Sequence, residues 1–394
     1  WVILDNQRSQ TNPRTKRLFA EVTDSESTGG GVDFLDDGFQ ITVNSMNNSG
    51  GTYLYLAIAA PPETTTPVLA SSFKPVLFTG RSQNVTGFGF KPDLAWVFNR
   101  AVNNGNFIND SIRGATETLW PTTTDAEDNR NVVTSFLSDG VTIGDYASIG
   151  TGNNIVYGWK ASGSTEILTA GTIDSIVSVN DDAGFSIVKW TGDGNASSTV
   201  AHGLSTAPSV IILKDLDNTR SWQVYHSSAP ASYKPYGGNL EGDAAFNTSA
   251  GSNGSLGTPT SSVITFTNGS STINNCNASG ANIVAYCWRP ITGYSKFGSY
   301  DGNSASDGSG TTQSITTGFQ PDWVMIKRYD GTENWYIQDS ARGSTKQLYA
   351  NIDNAEYNET NGIQSFDSTG FTLGGYNGIN NQGESFVYMA FKAN

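Results

Sequence analysis

The chain has 394 residues, of which 37 % are hydrophobic, 11 % aromatic and only 15 % charged, and 44 are glycine. Its formal net charge of −14 excludes a nucleic-acid surface, which needs a basic stripe to neutralise phosphates. The aromatic content excludes a disordered low-complexity chain, and no apolar run approaches the roughly 18 residues of a membrane-spanning helix.

Residues 1–60 contain Trp1-Val2-Ile3-Leu4-Asp5, then Asp33-Phe34-Leu35-Asp36-Asp37-Gly38-Phe39, then the alternating run Tyr53-Leu54-Tyr55-Leu56-Ala57-Ile58. Counterparts recur near the other end, at Trp335-Tyr336-Ile337-Gln338-Asp339, Ser365-Phe366-Asp367-Ser368-Thr369-Gly370-Phe371 and Phe386-Val387-Tyr388-Met389-Ala390-Phe391. The segment reads as the C-terminal half of a truncated repeat, and the chain as the ordered C-terminal part of a longer polypeptide. Residues 60–71, rich in Pro and Thr, read as a linker.

Beyond the linker three complete units follow, at residues 72–163, 184–290 and 294–394, with a period of about 110 residues. Each opens on an aromatic before a turn: Phe78-Thr79-Gly80, Trp190-Thr191-Gly192, Tyr300-Asp301-Gly302. Each continues with a proline before an apolar run: Pro92-Asp93-Leu94-Ala95-Trp96-Val97-Phe98, Pro208-Ser209-Val210-Ile211-Ile212-Leu213-Lys214, Pro321-Asp322-Trp323-Val324-Met325-Ile326-Lys327. Proline at a strand start costs no ladder hydrogen bond. Each closes on an alternating run, such as Ile155-Val156-Tyr157-Gly158-Trp159 and Ile283-Val284-Ala285-Tyr286-Cys287-Trp288. Residues 162–183 and 290–293 read as joints. The run Val210-Ile211-Ile212-Leu213, apolar at every position, predicts a central strand covered on both faces. The best helical stretch, 350–357, offers a turn or two. Short strands with Gly, Asn, Asp and Pro turns predict an all-β chain of tandem β-sandwich repeats, jelly-roll or concanavalin-like.

An Asp-x-x-Arg element recurs as Asp5/Arg8, Asp110/Arg113 and Asp339/Arg342, and the middle unit has His226-Ser227-Ser228 in its place. Repetition in sister units favours structural ion pairs for Asp110–Arg113 and Asp339–Arg342 over a binding site. Ser227 and His226 could belong to a triad, but no G-x-S-x-G elbow accompanies them, and His202 before Gly203 reads as a turn residue. No catalytic and no metal-ligating residues are assigned. The acidic runs Asp36-Asp37, Asp125-Ala126-Glu127-Asp128 and Asp181-Asp182 leave Ca²⁺ possible, without EF-hand spacing. Cys276 and Cys287 either pair or stand as one loop thiol and one strand thiol. Loops at 103–106, 233–260 and 376–383 are candidate contact surfaces, in which Tyr233, Tyr236 and Tyr376 could stack on sugar rings.

The series from Gly318-Phe319-Gln320-Pro321-Asp322-Trp323 through Asp339-Ser340-Ala341-Arg342-Gly343 to Val387-Tyr388-Met389-Ala390-Phe391 is similar to a repeat domain of phage tail-fibre and other virion proteins of marine and cyanobacterial phages. Gly203-Leu204-Ser205-Thr206-Ala207-Pro208 with Trp222-Gln223-Val224-Tyr225-His226 resembles a variant of it. The resemblance implies an exposed virion or extracellular protein, homo-oligomeric, with other virion proteins as partners and no established catalytic residues. The leading expectation is a non-catalytic tail-fibre or capsid-decorating protein that attaches to a host-surface glycan or receptor. The alternatives are a structural filament or shell lattice protein and a polysaccharide depolymerase with a carboxylate pair.

Overall fold

The computed structural model describes residues 1–5, 13–35, 38–43, 46–57, 72–234, 237–249, 251, 254–268, 273–304 and 312–393. The chain is nearly all β and divides into two compact units, Trp1–Thr64 and Thr65–Asn394.

In the smaller unit Val2–Ile3, Arg14–Phe19, Ser27–Leu35 and Gly38–Ile41 form one antiparallel meander in chain order. The alternating run at 53–57 does not form the expected strand, and Leu54 and Leu56 are 81 % and 84 % exposed; Ile58 lies outside the described residues. The reason is pairing. The matching strands Asn153–Trp159 and Ser385–Phe391 each lie between two neighbours, Phe73–Thr79 and Leu94–Asn99 in one case, Ser295–Asp301 and Trp323–Arg328 in the other. Residues 1–57 contain counterparts of neither neighbour, so apolar alternation there has no ladder to join.

The larger unit holds three six-stranded sheets, each with its own three-stranded sheet. In the first and third pairs the six strands follow one order. The first runs Phe73–Thr79, Asn153–Trp159, Leu94–Asn99, Asn106–Asp110, Gly114–Leu119, Asp128–Asn129. The third runs Ser295–Asp301, Ser385–Phe391, Trp323–Arg328, Trp335–Asp339, Lys346–Tyr349, Tyr357–Asn358. The second shares the first four of that order as Phe185–Thr191, Asn282–Trp288, Val210–Asp215 and Gln223–His226, and adds Ser175–Asn180 and Glu166–Leu168 at the opposite edge. Residues 162–183 are therefore more than a joint. Ser-Ile-Val-Ser-Val-Asn at 175–180 alternates, and Gly184 at φ +66° turns it back onto Phe185–Thr191. The stretch 350–357 forms no helix; short helices instead span Asn274–Asn277 and Asn377–Asn380.

The central strands are apolar on both faces because alternate residues feed different cores. Ile211 and Leu213 pack toward the small sheet of their own pair, with Ile264 and Cys287. Val210 and Ile212 point the other way, into a cluster shared by all three large sheets. Trp159, Trp288, Trp323, Phe73 and Phe391 meet there, with ring centroids such as Trp159–Trp323 at 5.8 Å and Trp159–Trp288 at 6.0 Å. Burying one such ring contributes on the order of 1.5–3 kcal/mol before entropy is subtracted.

The three sheet pairs join head to tail, and the series closes. At one end of the fourth strand Asn106 donates to the Ala350 carbonyl at 3.1 Å, Trp222 to Trp120 at 3.0 Å and Trp335 to Asn239 at 3.0 Å. These bonds run first pair to third, second to first, third to second. Backbone bonds run in the opposite sense: Glu127 N–H to Leu216 O at 2.8 Å, Phe246 to Tyr329 at 2.9 Å, Glu356 to Arg100 at 3.0 Å. A heterologous contact repeated until it closes gives a ring, here within one polypeptide.

Inside two of these joints the Tyr157 hydroxyl donates to Asp339 at 2.7 Å, and the Tyr286 hydroxyl to Asp110 at 2.8 Å. All four side chains are buried. A buried carboxylate that loses a donor pays a desolvation penalty of about 1–3 kcal/mol. Tyr157→Phe and Tyr286→Phe should each lower the unfolding free energy by about that amount, read from urea denaturation at pH 7.

Candidate functional site

The Asp-x-x-Arg elements sit at ends of fourth strands, where Asp110 pairs in register with Leu94 and Asp339 with Trp323. Asp110 Oδ1 accepts the Ile112 and Arg113 backbone N–H groups at 3.0 and 2.9 Å, and its other oxygen takes the Arg113 guanidinium. Asp339 holds Arg342 in the same way, with Nε 2.5 Å away. A second carboxylate completes each cluster: Glu127 at 2.5 Å from Arg113 and Glu356 at 3.2 Å from Arg342. Burial opposes the Arg113 charge, but the carboxylates of Asp110 and Glu127 outweigh it and hold the proton above its ordinary range. Both guanidiniums are fully covered, so neither cluster offers a ligand an open face.

His226 occupies the register position of those aspartates, opposite Val210. Its Nδ1 accepts the Ser228 N–H at 3.2 Å, so its Nε2 carries the proton and donates to the Tyr388 carbonyl at 3.1 Å. Burial pushes its pKa down to about 4. His202 also accepts a backbone N–H, from Leu204 at 3.1 Å. Each imidazole is a neutral strut, and Ser227 makes its bond through its backbone, to the Ser209 carbonyl at 2.7 Å. Cys276 lies in the Asn274–Asn277 helix and Cys287 in a strand, both free and buried, with burial pushing both thiols up.

Two further buried cations escaped sequence reading. Lys214 and Lys327 sit at one strand position, and burial lowers both pKa values to about 8. Carbonyl oxygens cap them, Asp215 at 2.7 Å and Asn218 at 3.3 Å for Lys214, Asp243 at 2.8 Å and Glu333 at 2.7 Å for Lys327. The carboxylate Asp181 holds Arg289 at 2.9 Å. Asp36 and Asp37 lie outside the described residues, as do Arg8 and Tyr236. Among the described residues no group of three or more His, Cys, Asp or Glu is placed to hold a metal ion.

Tyr233 and Tyr376 sit on different sheet pairs. Tyr233 packs against the shared core and stands edge-on to Tyr329 at 5.3 Å. Tyr376 stands edge-on to Tyr336 at 5.6 Å. The loop at 103–106 instead borders a cleft of about 430 Å³ on the first sheet pair. Trp120 supplies its aromatic surface, over the buried Phe107, and Asn103, Asn104, Thr122, Thr123 and Ser148 its neutral polar groups. Asp125, Asp128 and Arg130 line it from the same sheet pair, and Asp353 from the third. Trp120 is half-buried, while Asn103, Asp125, Arg130 and Asp353 are exposed.

The cleft is held by its surroundings. Asn103 Oδ1 accepts the Ala355 N–H at 2.8 Å, and Arg100 grips Glu356 through two bonds of 2.7 and 3.0 Å. Gly105 at φ +80° lets the loop pass under Asp353, whose Oδ1 would lie 2.7 Å from a Cβ there. Sequence reading marked the loop but not Trp120, whose position beside it depends on the sheet order.

His226 gives a pH prediction. Its folded pKa lies below its unfolded value, so its contribution to stability is full above about pH 6.5 and is lost as pH falls toward about 4. Urea unfolding between pH 7 and 4.5 should show a slope that His226→Gln reduces, by up to about 1.4 kcal/mol per pH unit. Identical slopes in the two proteins would contradict the assignment.

No curated protein and no solved structure matches the chain. Residues 1–62 and 70–394 match the family described as Domain of unknown function (DUF7483). That match takes in nearly the whole chain, which belongs to the DUF7483 family.

Proposed function

We propose that the chain is a non-catalytic surface-display protein, virion-borne and extracellular, that attaches to a host-surface glycan through the cleft at Trp120. The observation that carries the reading is chemical. An aromatic face beside several Asn, Thr and Asp groups, in an open cleft of about 430 Å³, suits a sugar's apolar ring face and its hydroxyls. In the same reading the three sheet pairs are copies of one β-sandwich module, and binding chemistry is confined to the loops in which the copies differ.

Support for display rather than catalysis comes from where the reactive groups lie. The Asp–Arg clusters and both histidines are buried and committed to neighbours, and both cysteines are buried free thiols. The resemblance to virion repeat domains points the same way.

Binding of fluorescent oligosaccharides from host envelope or capsule to the full chain tests the proposal. Trp120→Ala should weaken binding at least tenfold while the far-UV circular dichroism stays that of the folded chain; the carbonyl bond to Trp222 is kept, and some thermal stability is lost because the indole also packs on the core of its own sheet pair. No reducing ends should accumulate on prolonged incubation with the same polysaccharide. Release of reducing ends by the intact protein would replace attachment with depolymerisation.

A further inference from the structure

We infer that the ligand of the Trp120 cleft is an amino-bearing sugar chain, longer than one residue, rather than an acidic or a neutral glycan. The inference rests on the attachment reading above and adds the ligand's charge and length.

Length follows from a second cleft of about 330 Å³, lined by Asn129, Arg130, Asn131, Asp145, Tyr146 and Ala147. Arg130 lines both clefts, so they adjoin. Tyr146 stands edge-on at 5.6 Å to Phe107, a buried residue behind the first cleft, so the two clefts share one wall. Two adjoining hollows, each of which offers an aromatic group and amide or carboxylate oxygens, suit successive residues of a chain.

Charge follows from the balance of the lining. Four carboxylates line the two clefts, Asp125, Asp128, Asp353 and Asp145. Arg81 lies outside the lining and bonds the Asp145 carbonyl at 2.9 Å, so the lining itself carries the single guanidinium of Arg130. That guanidinium is already taken by Asp128, at 2.5 Å. Asp125 accepts a hydroxyl from Thr123 at 3.0 Å, and Asp145 an amide from Asn131 at 3.1 Å, bonds that fix the carboxylates without neutralising them. The exposed carboxylates of Asp125, Asp145 and Asp353 thus repel uronate and sialate chains and attract protonated amines, on a chain whose net charge is −14.

Calorimetric titration of the full chain at pH 6 tests this with a glucosamine dimer, for length, and four principal probes. They are a β-1,4-linked glucosamine tetramer, its fully N-acetylated counterpart, a hyaluronan tetrasaccharide and tetralysine. The glucosamine tetramer should bind at least tenfold more tightly than the N-acetylated one, and more tightly than glucosamine dimer. Hyaluronan should not bind. Asp125→Asn and Asp353→Asn should each weaken the glucosamine tetramer severalfold more than they weaken the N-acetylated tetramer. Equal affinities for the two tetramers, or binding of hyaluronan, would overturn the charge assignment and leave glycan attachment standing. Tighter binding of tetralysine than of any sugar would identify a basic peptide ligand and overturn the inference. Silence of all four probes would overturn the inference too; attachment then stands or falls on the envelope and capsule sugars tested above.

Discussion

The large unit depends on one packing arrangement, in which three six-stranded sheets turn the same face inward onto a common aromatic cluster. Each sheet already has a partner in its own small sheet, so its second face needs another cover. The cover comes from the other two large sheets, and Trp159, Trp288, Trp323 and Phe391 are where they meet. The head-to-tail hydrogen bonds at the rim and the buried tyrosine–aspartate contacts follow from that convergence. With this arrangement a strand such as Val210–Asp215 can be covered along its whole length.

The joints are not uniform, and their differences are matched. Two joints pair an Asp with a Tyr hydroxyl, Asp110 with Tyr286 and Asp339 with Tyr157. At the third joint the Asp position holds His226, the position of the tyrosine holds Met389, and the imidazole bonds a carbonyl instead. A Tyr hydroxyl there would have lost its carboxylate, and a carboxylate there would have lost its hydroxyl. Paired replacement keeps each buried polar group satisfied. The clusters thus have the character of joint hardware, and the chemistry open to a ligand lies elsewhere, on loops.

Much of the strand pattern was legible because it is local. Proline-led apolar runs, closing alternations and the unbroken run at Val210–Leu213 all report which faces are covered. What covers them is not local. The three-residue spacing of Asp110 and Arg113 is plain in the sequence, but the hydroxyl that completes the site comes from Tyr286, 176 positions away. Residues 53–57 show the opposite failure: the pattern of a strand is present and its two neighbours are not, so alternation alone misled. Loop membership is the sequence signal at Tyr233 and Tyr376; their ring partners Tyr329 and Tyr336 are set by the fold. Trp120 came forward only when the sheet order set it beside the 103–106 loop.

Closure of the ring within one polypeptide has a consequence for how its surface can change. In an assembly of three identical subunits every substitution is made three times, so a crevice on one face is necessarily tripled and a harmful change is harmful threefold. Here the covalent link frees the thirds from one another. Asp353 could be set against Gly105 on one flank while the corresponding places on the other two drifted toward different residues, and the shared interior stayed as it was.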